Sequence, residues 1–449
     1  MIRRIFIANR GEIALRVLRT CRRLDIGTVL GASTADLDSL PARLADRTVC
    51  IGPPRPGDSY LNREAIVHAA MSTGCDAIHP GYGFLSERAV FARLAEENGL
   101  VFIGPTPAQI DAVGDKLRAR FAAQAAGVPT VPGGAVNSLD DALDLVREIG
   151  VPLLVKAVGG GGGRGMKLVE RLTDLPAALE LASAEAGAAF GDSRVYLERY
   201  IASGRHVEVQ VLGDGRGGVV HLGERDCSVQ RRYQKLIEET PAPRLPAATR
   251  RALHAAALAF AKSLNYRGAG TVEFLVDRAS GAFYFLEMNA RIQVEHPVTE
   301  AVTGVDLVAE QIAIAAGEGL RVTQEALRFD GCAIECRVNA EDPARDFQPS
   351  PGTVTHACWP EGEGVRVDTH IASGSRVPPF YDSLLGKIIA HGADRKQALA
   401  RLLDALGSTQ LDGVHTNLAL QAELLADEEF ATGGVDTHWL GRRLAFTEA

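Results

Sequence analysis

The sequence predicts a multidomain protein of α/β and α+β class that begins with a doubly wound domain. The chain has 449 residues, which is too long for one typical hydrophobic core. Over about residues 1–110, short apolar segments alternate with helical patterns, as in a parallel sheet covered by helices. From residue 127 onward, strand patterns separated by glycine turns indicate a hairpin-rich region, and a third pattern begins at Cys332.

The predicted elements follow in order along the chain. The N-terminal region predicts strands at 2–8, 28–32, 76–79 and 101–104 and helices at 12–24 and 65–73, before a break at Gly104-Pro-Thr-Pro107. The middle region predicts helices at 115–126, 250–264 and 306–316 and strands at 153–157, 167–169, 195–200, 206–212, 219–222, 270–277 and 282–289. The last region predicts strands at 334–338, 366–369 and 385–390 and helices at 395–406 and 416–425.

The segment from Glu287 to Glu295 carries the most specific chemistry. Read as an extended strand, it places on one face Glu287, Asn289, Arg291, Gln293 and Glu295. Carboxylates, amides and a guanidinium at two-residue spacing suit a divalent metal, phosphate and a small planar anion. The alternative interpretation is a solvated edge strand.

A glycine loop lies between two predicted strands. Lys156 precedes Gly159 to Gly163, which are followed by Arg164 and Gly165. Consecutive glycines let backbone N–H groups approach phosphate oxygens closely. No Gly-Lys-Ser/Thr and no helix follows, so neither a Walker A loop nor a dinucleotide fingerprint is indicated. A mobile lid over a triphosphate fits this strand-loop-strand setting better than a flexible linker.

A second feature is a pair of glutamates on neighbouring strands. Glu273 lies on the strand predicted to face the one that contains Glu287. Two carboxylates on paired strands, together with the Asn289 amide, suit Mg²⁺ that bridges phosphates. The alternative is a polar cross-strand pair with lysine or arginine. Two facing glutamates with no base between them would repel each other, which favours a metal.

The overall composition excludes several classes of protein. A net charge of −8 argues against nucleic acid as a partner. No apolar run approaches the ~20 residues needed to span a membrane, and the apolar stretch at the start is too short for a signal peptide. The seven cysteines contain no Cys-x-x-Cys, so neither a zinc site nor a disulfide framework is indicated. The expected location is the cytoplasm.

Taken together, these motifs resemble the biotin carboxylase family of the ATP-grasp superfamily. The matching segments run in family order through residues 7–14, 79–86, 159–166, 224–235, 287–297, 335–341 and 378–383. The resemblance implies three parts: an N-terminal doubly wound domain at 1–114, an ATP-grasp domain at 115–330, and a C-terminal biotin carboxylase domain at 331–449. The mobile, glycine-rich lid is expected at about residues 131–204.

The resemblance also implies the reaction. Bicarbonate attacks the γ-phosphate of ATP, which is held with Mg²⁺ or Mn²⁺, with two ions expected. The resulting carboxyphosphate releases CO2 and phosphate beside biotin, phosphate takes the ureido proton, and carboxybiotin forms.

The partners follow from the same resemblance. The four methionines, at 1, 71, 166 and 288, leave no Ala-Met-Lys-Met biotinylation site, so biotin is expected on a separate biotin carboxyl carrier protein. Carboxyltransferase is expected on other subunits, and the chain is expected to form a homodimer. Acetyl-CoA carboxylase, which serves fatty acid biosynthesis, is the expected setting. The alternatives are an acyl-CoA, pyruvate or urea-type carboxylase, another ATP-grasp ligase, and a non-catalytic nucleotide-binding regulator.

Site roles carry over from the family by position. The expected ATP contacts are Lys116, Lys156, Gly162, Gly163, Glu198, Arg199, Tyr200, Ile201, His206, Tyr233, Glu273 and Glu287. The expected metal ligands are Glu273, Glu287 and Asn289, and the expected bicarbonate pocket is Lys235, Arg291, Gln293, Val294 and Glu295. Of the catalytic set Lys235, Arg291, Glu295 and Arg337, Glu295 resembles the base that deprotonates bicarbonate. Arg337 resembles the biotin-binding cation that stabilises the biotin enolate.

Three positions depart from the family pattern. Tyr233 stands where histidine is expected, and in an extended segment it would face the same way as Lys235. We therefore expect its contact to be with adenine or ribose rather than with the reacting groups. Arg23 and Glu363 stand near the family's dimer surface, where an acid and an apolar aromatic are expected. The dimer contacts are therefore expected to differ from the usual ones.

Overall fold

The structure, a computed structural model, describes residues 2–159 and 166–447. Gly162 and Gly163, two of the expected ATP contacts, lie outside the described residues, as does the rest of the glycine loop from residue 160 onward. The predicted domain boundaries stay predictions. Within the described part of the chain, no helix is both long and apolar enough to cross a membrane.

A parallel sheet begins the fold, as predicted. Its strands are β1 (Arg4–Ile7), β2 (Gly27–Ser33), β3 (Arg47–Gly52), β4 (Ala77–His79) and β5 (Val101–Phe102). They lie in the order β3-β2-β1-β4-β5, and every neighbouring pair is parallel. The helices are α1 (Gly11–Arg23), α2 (Leu40–Leu44), α3 (Arg63–Ser72), α4 (Ala89–Glu97), α5 (Pro107–Gly114) and α6 (Lys116–Ala125). Residues 5–7 of β1 are fully buried, because helices cover both faces of a parallel sheet.

The break predicted at Gly104–Pro107 is followed at once by a helix that the sequence pattern did not predict. Thr106 caps α5, and its side chain accepts from the Gln109 backbone N–H while Gln109 bonds back to Thr106. Pro107 stands in the first turn, where its fixed φ suits a helix start. The proline-rich segment therefore both ends a strand and starts a helix.

A small antiparallel unit follows. Its strands are β6 (Gly133–Val136), β7 (Leu153–Ala157), β8 (Met166–Val169) and β9 (Val195–Arg199), in the order β6-β9-β7-β8. Two helices that were not predicted, α7 (Leu139–Ile149) and α8 (Leu175–Phe190), accompany them. The unit has its own hydrophobic cluster, which includes Leu153, Val155 and Leu197.

An antiparallel sheet follows, to which the middle region contributes five strands. Its first strands are β10 (Gly204–Asp214), β11 (Val219–Arg231), β12 (Gln234–Thr240), β13 (Arg267–Asp277) and β14 (Phe283–Asn289). The helices of this region are α9 (Ala247–Ser263), α10 (His296–Thr303) and α11 (Leu307–Ala315). Strands β13 and β14 are antiparallel neighbours with Glu273 opposite Glu287, so the predicted pairing of these two segments is confirmed.

The C-terminal region extends the same sheet. Its strands are β15 (Cys332–Asn339), β16 (Glu341–Asp342), β17 (Gln348–Pro349), β18 (Gly352–Thr353), β19 (His356–Cys358), β20 (Val365–Thr369), β21 (Arg376–Val377), β22 (Leu384–Gly392) and β23 (Gln410–Asp412). Its helices are α12 (Arg395–Ser408), α13 (Leu418–Ala426), α14 (Glu428–Thr432) and α15 (Trp439–Thr447). The eight strands run in the order β14-β13-β10-β11-β12-β15-β22-β20. Pairing of β12 with β15 therefore joins the middle and C-terminal regions in one sheet.

The predicted extended segment from Glu287 to Glu295 is wrong beyond its first three residues. Strand β14 ends at Asn289, residues 290–295 form bends and a turn, and α10 begins at His296. Proline in the first turn of α10 favours a helix start at this point. The polar side chains therefore do not form one continuous strand face, and Gln293 and Glu295 instead turn into the protein interior, where both are buried.

Candidate active site

A buried ammonium group lies at the centre of the site. Lys235, near the start of β12, donates from Nζ to Glu208 Oε2 at 2.6 Å, Glu273 Oε1 at 3.0 Å and Glu295 Oε1 at 2.7 Å. Burial alone would lower the pKa of Lys235, but the three carboxylates outweigh it and raise that pKa well above its ordinary value. Lys235 is therefore a fixed cation that gathers three acids from three different segments.

Glu295 lies between two cations. Its Oε1 accepts from Lys235, and its Oε2 accepts from Arg337 Nη2 at 2.9 Å. Burial acts to raise the pKa of Glu295, but Lys235, Arg337 and Arg225 together hold it well below the ordinary value. The carboxylate is therefore ionised, which is the form that can accept a proton.

A cavity of about 620 Å³ opens beside these groups. Its lining includes Lys235, Val294 and Arg337 together with the aromatic side chains of Tyr82 and Tyr381. The cavity combines two cations with aromatic surface, which suits a small ligand that is part ring and part polar.

Glu273 and Glu287, the predicted metal ligands, face each other across β13 and β14. The sequence argument that they need a metal to prevent repulsion does not hold, because each already contacts a lysine. Lys235 Nζ lies 3.0 Å from Glu273 Oε1, and Lys116 Nζ lies 3.0 Å from Glu287 Oε2. Lysines from distant parts of the chain supply these partners, which a local reading of the strand could not detect.

The donor set still fits a divalent cation. Lys235 and His206 hold the pKa of Glu273 well below its ordinary value although burial opposes them, so this acid is ionised. The Glu287 side chain is about a third exposed and, within residues 2–159 and 166–447, makes a single ion pair, to Lys116. Asn289 lies at the end of the same strand and bonds to Glu273 Oε1 at 2.8 Å. Carboxylate and amide oxygens are ligands that Mg²⁺ accepts together with phosphate oxygens.

In the described part of the chain, two deeper groups of side chains could also hold a metal by distance alone. One consists of His206, Glu208 and Glu273, and the other contains Cys227 with Glu208 and Glu295. Lys235 donates to all three glutamates. Its ammonium group therefore already supplies the positive charge that a metal ion would bring to these side chains. Burial acts to lower the pKa of His206, but the Glu273 carboxylate at 3.1 Å raises it overall.

The predicted ATP contacts fall mainly on the small antiparallel unit and on α6. Lys156 Nζ donates to Glu198 Oε2 at 2.6 Å, and Arg120 Nη1 donates to Glu198 Oε1 at 2.9 Å. Both oxygens of the Glu198 carboxylate are thus bonded to cations within the chain. Any adenine contact at the end of β9 would therefore use backbone groups of Arg199, Tyr200 and Ile201, and these contacts stay predictions.

The predicted bicarbonate pocket is only partly brought together. Gln293 Nε2 donates to Glu273 Oε1 at 2.8 Å, which places it directly beside Lys235. The Arg291 guanidinium instead bonds to Glu87 Oε2 at 2.8 Å and to Asn289 Oδ1 at 3.0 Å. Val294 lines the cavity, and its carbonyl accepts from the buried Lys387 at 2.7 Å. Arg291 would have to leave Glu87 to contact an anion held by Lys235.

The prediction that Tyr233 and Lys235 share one face of an extended segment is wrong. Arg231 and Gln234 are paired strand ends, so Arg232 and Tyr233 form a two-residue hairpin loop with φ values of 47° and 67°. Two positive φ values are typical of a type I′ turn, whose twist matches the flanking strands. Tyr233 therefore projects from a turn, is 54% exposed, and lies on the rim of the cavity.

The two unusual residues of the expected dimer surface both pair within the chain. Arg23 bonds to Asp306, and Glu363 Oε1 lies 3.1 Å from Arg401 Nη2. Glu363 is almost fully exposed, so its ion pair contributes little stability. Arg16, Arg19 and Arg366 lie close to Arg23 around an open pocket.

Sequence reasoning assigned no role to several charged residues at the centre of the site and indicated Arg225, in the charged stretch 224–235, only as a candidate anion contact. Arg225 is fully buried and donates to Glu208 Oε1 at 2.6 Å and to Gln293 Oε1 at 2.8 Å. Glu87 binds Arg291, and Glu238 binds Arg337. The alternation of polar and apolar residues at 206–210 was a usable signal for Glu208. The positions of its partners depend on strand register, which that pattern does not contain.

Comparison with known families covers almost the whole chain. Residues 1–110 match the family described as Biotin carboxylase, N-terminal domain, and residues 335–442 match Biotin carboxylase C-terminal domain. Residues 115–323 match Carbamoyl-phosphate synthase L chain, ATP binding domain. The chain is 52% identical over 447 residues to the Biotin carboxylase of Pseudomonas aeruginosa, with 99% of each chain covered.

The chain belongs to the biotin carboxylase family. It is therefore an ATP-dependent ligase that carboxylates biotin, and the predicted fold class with its ATP-grasp core is confirmed. The Biotin carboxylase of Allochromatium vinosum is 53% identical over 448 residues, covering 99% of each chain.

Two similar biotin carboxylases have been solved as complexes with ligands. A biotin carboxylase from Campylobacter jejuni in a complex with β,γ-ATP has a TM-score of 0.95 at 45% identity, covering 98% of this chain and 99% of that one. The biotin carboxylase domain dimer of the Hydrogenobacter thermophilus 2-oxoglutarate carboxylase has a TM-score of 0.94 at 45% identity, with 98% of each chain covered. That dimer was crystallised with MgADP, ADP and bicarbonate.

Proposed function

We propose that this biotin carboxylase acts on biotin attached to a separate carrier protein and forms carboxyphosphate as its intermediate. The observation that carries the proposal is the position of Glu295. Its carboxylate lies between Lys235 and Arg337 beside a cavity of about 620 Å³. An anion-binding ammonium and a guanidinium thus both lie within hydrogen-bonding distance of the proposed base.

In the first step, Glu295 accepts the proton of bicarbonate. The deprotonated oxygen forms a bond to the γ-phosphorus of ATP while the bond to the ADP oxygen breaks, which yields carboxyphosphate and ADP. Lys235 and Gln293 bind the anion, and Arg291 joins them by exchanging Glu87 for the substrate. Bicarbonate is a poor nucleophile until it is deprotonated, so an ionised carboxylate against it accelerates the reaction.

In the second step, carboxyphosphate breaks down to CO2 and phosphate. Phosphate takes the N–H proton of the biotin ureido group, and the resulting enolate-like anion attacks CO2 through nitrogen. Arg337 stabilises the negative charge that develops on the ureido oxygen. A guanidinium held in place beforehand is suited to this task, because it does not have to reorganise as charge appears.

The nucleotide and metal roles rest on donor chemistry and on the relatives. Lys116 and Lys156 are the proposed phosphate contacts, and Glu273, Glu287 and Asn289 would hold Mg²⁺ or Mn²⁺. The metal would neutralise charge on the phosphate oxygens when bound. The Hydrogenobacter relative bound MgADP and bicarbonate, which supports the same ligands for this chain.

We propose acetyl-CoA carboxylase as the complex that uses the carboxylated biotin. The support is the full-length similarity to proteins named Biotin carboxylase at about 50% identity. The biotin carboxylase parts of a 2-oxoglutarate carboxylase and of a pyruvate carboxylase are 45% identical to this chain. A complex that carboxylates one of these two keto acids is therefore the second candidate. Supplying the purified chain with carrier and carboxyltransferase subunits decides between them, since malonyl-CoA supports the first and a carboxylated keto acid supports the second.

The proposed partners are a carrier protein, carboxyltransferase subunits and a second copy of this chain. The Hydrogenobacter relative is a dimer, which supports the last of these. Because Arg23 and Glu363 pair with Asp306 and Arg401 within the chain, we expect the dimer to depend on other contacts. Sedimentation of the purified chain measures the oligomeric state directly.

The experiment that tests the proposed activity is ADP release with MgATP, bicarbonate and free biotin. We expect slow release that depends on both bicarbonate and biotin, because free biotin lacks the carrier's binding energy and positioning. Release that needs bicarbonate but ignores biotin would indicate another ATP-grasp reaction. The absence of biotin-stimulated release with Mg²⁺ and with Mn²⁺ would contradict the proposal.

A further inference from the structure

Two buried carboxyl groups lie directly behind the proposed biotin-binding cation. Glu238 on β12 and Glu335 on β15 are cross-strand partners, and both are fully buried. Opposed side chains of an antiparallel pair have Cβ atoms about 5 Å apart, so the two carboxyl groups are neighbours. None of the nucleotide, metal or bicarbonate roles proposed above uses either residue.

Glu238 fixes the orientation of the Arg337 guanidinium. Arg337 Nε donates to Glu238 Oε1 at 2.6 Å, and Arg337 Nη2 lies 2.5 Å from the same oxygen. The main-chain carbonyl of Arg337 accepts from Asn417 Nδ2 at 3.0 Å and Gln421 Nε2 at 2.9 Å. Side chain and backbone are therefore both held. Within residues 2–159 and 166–447, Nη1 is the guanidinium nitrogen left without a hydrogen bond.

The guanidinium is divided between two acids. Nη2 contacts Glu238 and also donates to Glu295 Oε2 at 2.9 Å. Without Glu238, its one remaining carboxylate partner among the described contacts would be Glu295, the proposed base. Attraction toward Glu295 would then move the cation away from biotin and strengthen its hold on the group that must accept a proton.

The unpaired oxygens indicate that the two acids share one negative charge. Glu238 Oε2 and both oxygens of Glu335 are buried and lack hydrogen-bond partners among the described residues. Two adjacent ionised carboxylates in such surroundings are strongly unfavourable. Burial raises the pKa of Glu335 well above its ordinary value, where Lys387 and Arg337 oppose the shift and Glu238 and Glu295 add to it. Burial raises the pKa of Glu238 as well, to about 7, but Arg337 bonds directly to Glu238 and opposes that rise. Glu335 has no such bond and the larger rise, so of the two acids Glu335 is the one that holds the proton.

We infer that Glu238 is a positioning residue for Arg337, and that a protonated Glu335 behind it leaves the negative charge on Glu238. This inference rests on the role proposed above for Arg337. Glu238 acts through the guanidinium alone, and the neutral Glu335 adds no charge of its own.

The first test is Glu238→Gln, which keeps the side-chain shape and removes the charge. We expect turnover with free biotin to fall about 10- to 100-fold, because small displacements of a positioned group cost this much. The Michaelis constant for ATP should stay within about twofold of wild type. In an Arg337→Gln background, Glu238→Gln should cause little further loss of turnover, because the effects of substitutions at residues that act as a unit do not add. A purely structural role would lower turnover equally in both backgrounds.

Glu239→Gln is the matched control. Glu239 is the next residue on β12, is also buried, and also pairs with an arginine, Arg395, at 2.6 Å. We expect its loss to leave turnover within about twofold of wild type. Glu335→Gln should also stay within about twofold, because a neutral amide replaces a neutral acid.

Several outcomes would overturn the inference. Wild-type turnover in Glu238→Gln would contradict the positioning role. A double variant whose fold-loss in turnover equals the product of the two single-variant losses would contradict it as well. A loss above tenfold in Glu335→Gln shows that Glu335 acts as an anion. Wild-type turnover in Arg337→Gln defeats the proposed role of Arg337 itself, and the inference falls with it. If Glu238→Gln does not fold, the same cycle is run with Glu238→Asp, and multiplied losses there contradict the inference.

Discussion

Glu295 combines almost complete burial with two bonded cations. Lys235 and Arg337 keep it ionised, so its carboxylate is in the form that a general base requires. We expect Glu295→Gln to keep near-normal ATP affinity and to lose about 10²–10⁴-fold in turnover, the range for a removed general base. Steady-state titrations of ATP and bicarbonate measure both quantities. A variant with more than half of wild-type turnover would show that the base lies elsewhere.

A second residue-scale prediction concerns stability and pH. Burial raises the pKa of Glu239 from 4.5 to about 6 although Arg395 opposes it. Between these values the folded state holds a proton that the unfolded state has lost, so stability falls as pH rises through this window. The loss is about 2 kcal/mol in total, from 1.36 kcal/mol per pKa unit. Glu239→Gln should therefore gain about this much relative to wild type between pH 4.5 and 7.

Denaturant unfolding of both proteins at several pH values measures this gain. Burial raises the pKa of Glu238 to about 7, so Glu238 also makes the unfolding free energy depend on pH. This contribution is the same in wild type and in Glu239→Gln, and it cancels from the difference between them. A difference that stays constant across this pH range would contradict the raised pKa of Glu239.

At the scale of elements, the hairpin turn between β11 and β12 carries a measurable cost. Tyr233 holds a left-handed backbone with φ of 67°, which costs a bulky residue about 1 kcal/mol. Asparagine tolerates this conformation, so Tyr233→Asn should raise the unfolding free energy by up to about 1 kcal/mol. The Michaelis constant for ATP should change by well under ~100-fold, about one neutral hydrogen bond or less.

Tyr284→Asn is the control for the turn, because Tyr284 lies within strand β14, where tyrosine is favoured. It should lower stability. If both substitutions lower stability equally, the left-handed turn carries no cost. A collapse of the rate at saturating ATP in Tyr233→Asn would instead place Tyr233 among the reacting groups.

Local patterns predicted elements well where periodicity or pairing was sufficient. Helix α1, the strands β13 and β14 and the facing of Glu273 and Glu287 all follow from short-range sequence signals. The bend after Asn289 and the turn at Tyr233 did not follow, because alternation looks the same in a strand and in a turn. The lysine partners of the two glutamates come from 171 and 38 residues away in the chain, and no local pattern records such distances.

At the scale of the whole molecule, the eight-stranded sheet predicts cooperative unfolding. Cys227 on β11 and Cys336 on β15 are both fully buried, and β12 pairs with the strands of both. We expect both thiols to become reactive at one denaturant midpoint. The middle and C-terminal regions share β12, so separation of this strand exposes the neighbouring strand in each region. Thiol labelling followed by mass spectrometry of the peptides measures each midpoint.

The exposed Cys50 and Cys358 provide the internal control, since they should react without denaturant. Earlier labelling of Cys336 than of Cys227 would show that the C-terminal region unfolds by itself. Cys21 and Cys75, buried near the parallel sheet, report separately on the N-terminal region.

The pairing of β12 with β15 also limits how this protein can be recombined with its relatives. A chimaera that exchanges residues 331–449 takes Glu335 and Arg337 from one parent and leaves Glu238 and Glu295 in the other. The crossover point would then cut through a hydrogen-bonded ladder and an ion-pair cluster at the same time. Productive crossovers are therefore expected before β10, where the exchanged fragment carries the entire sheet.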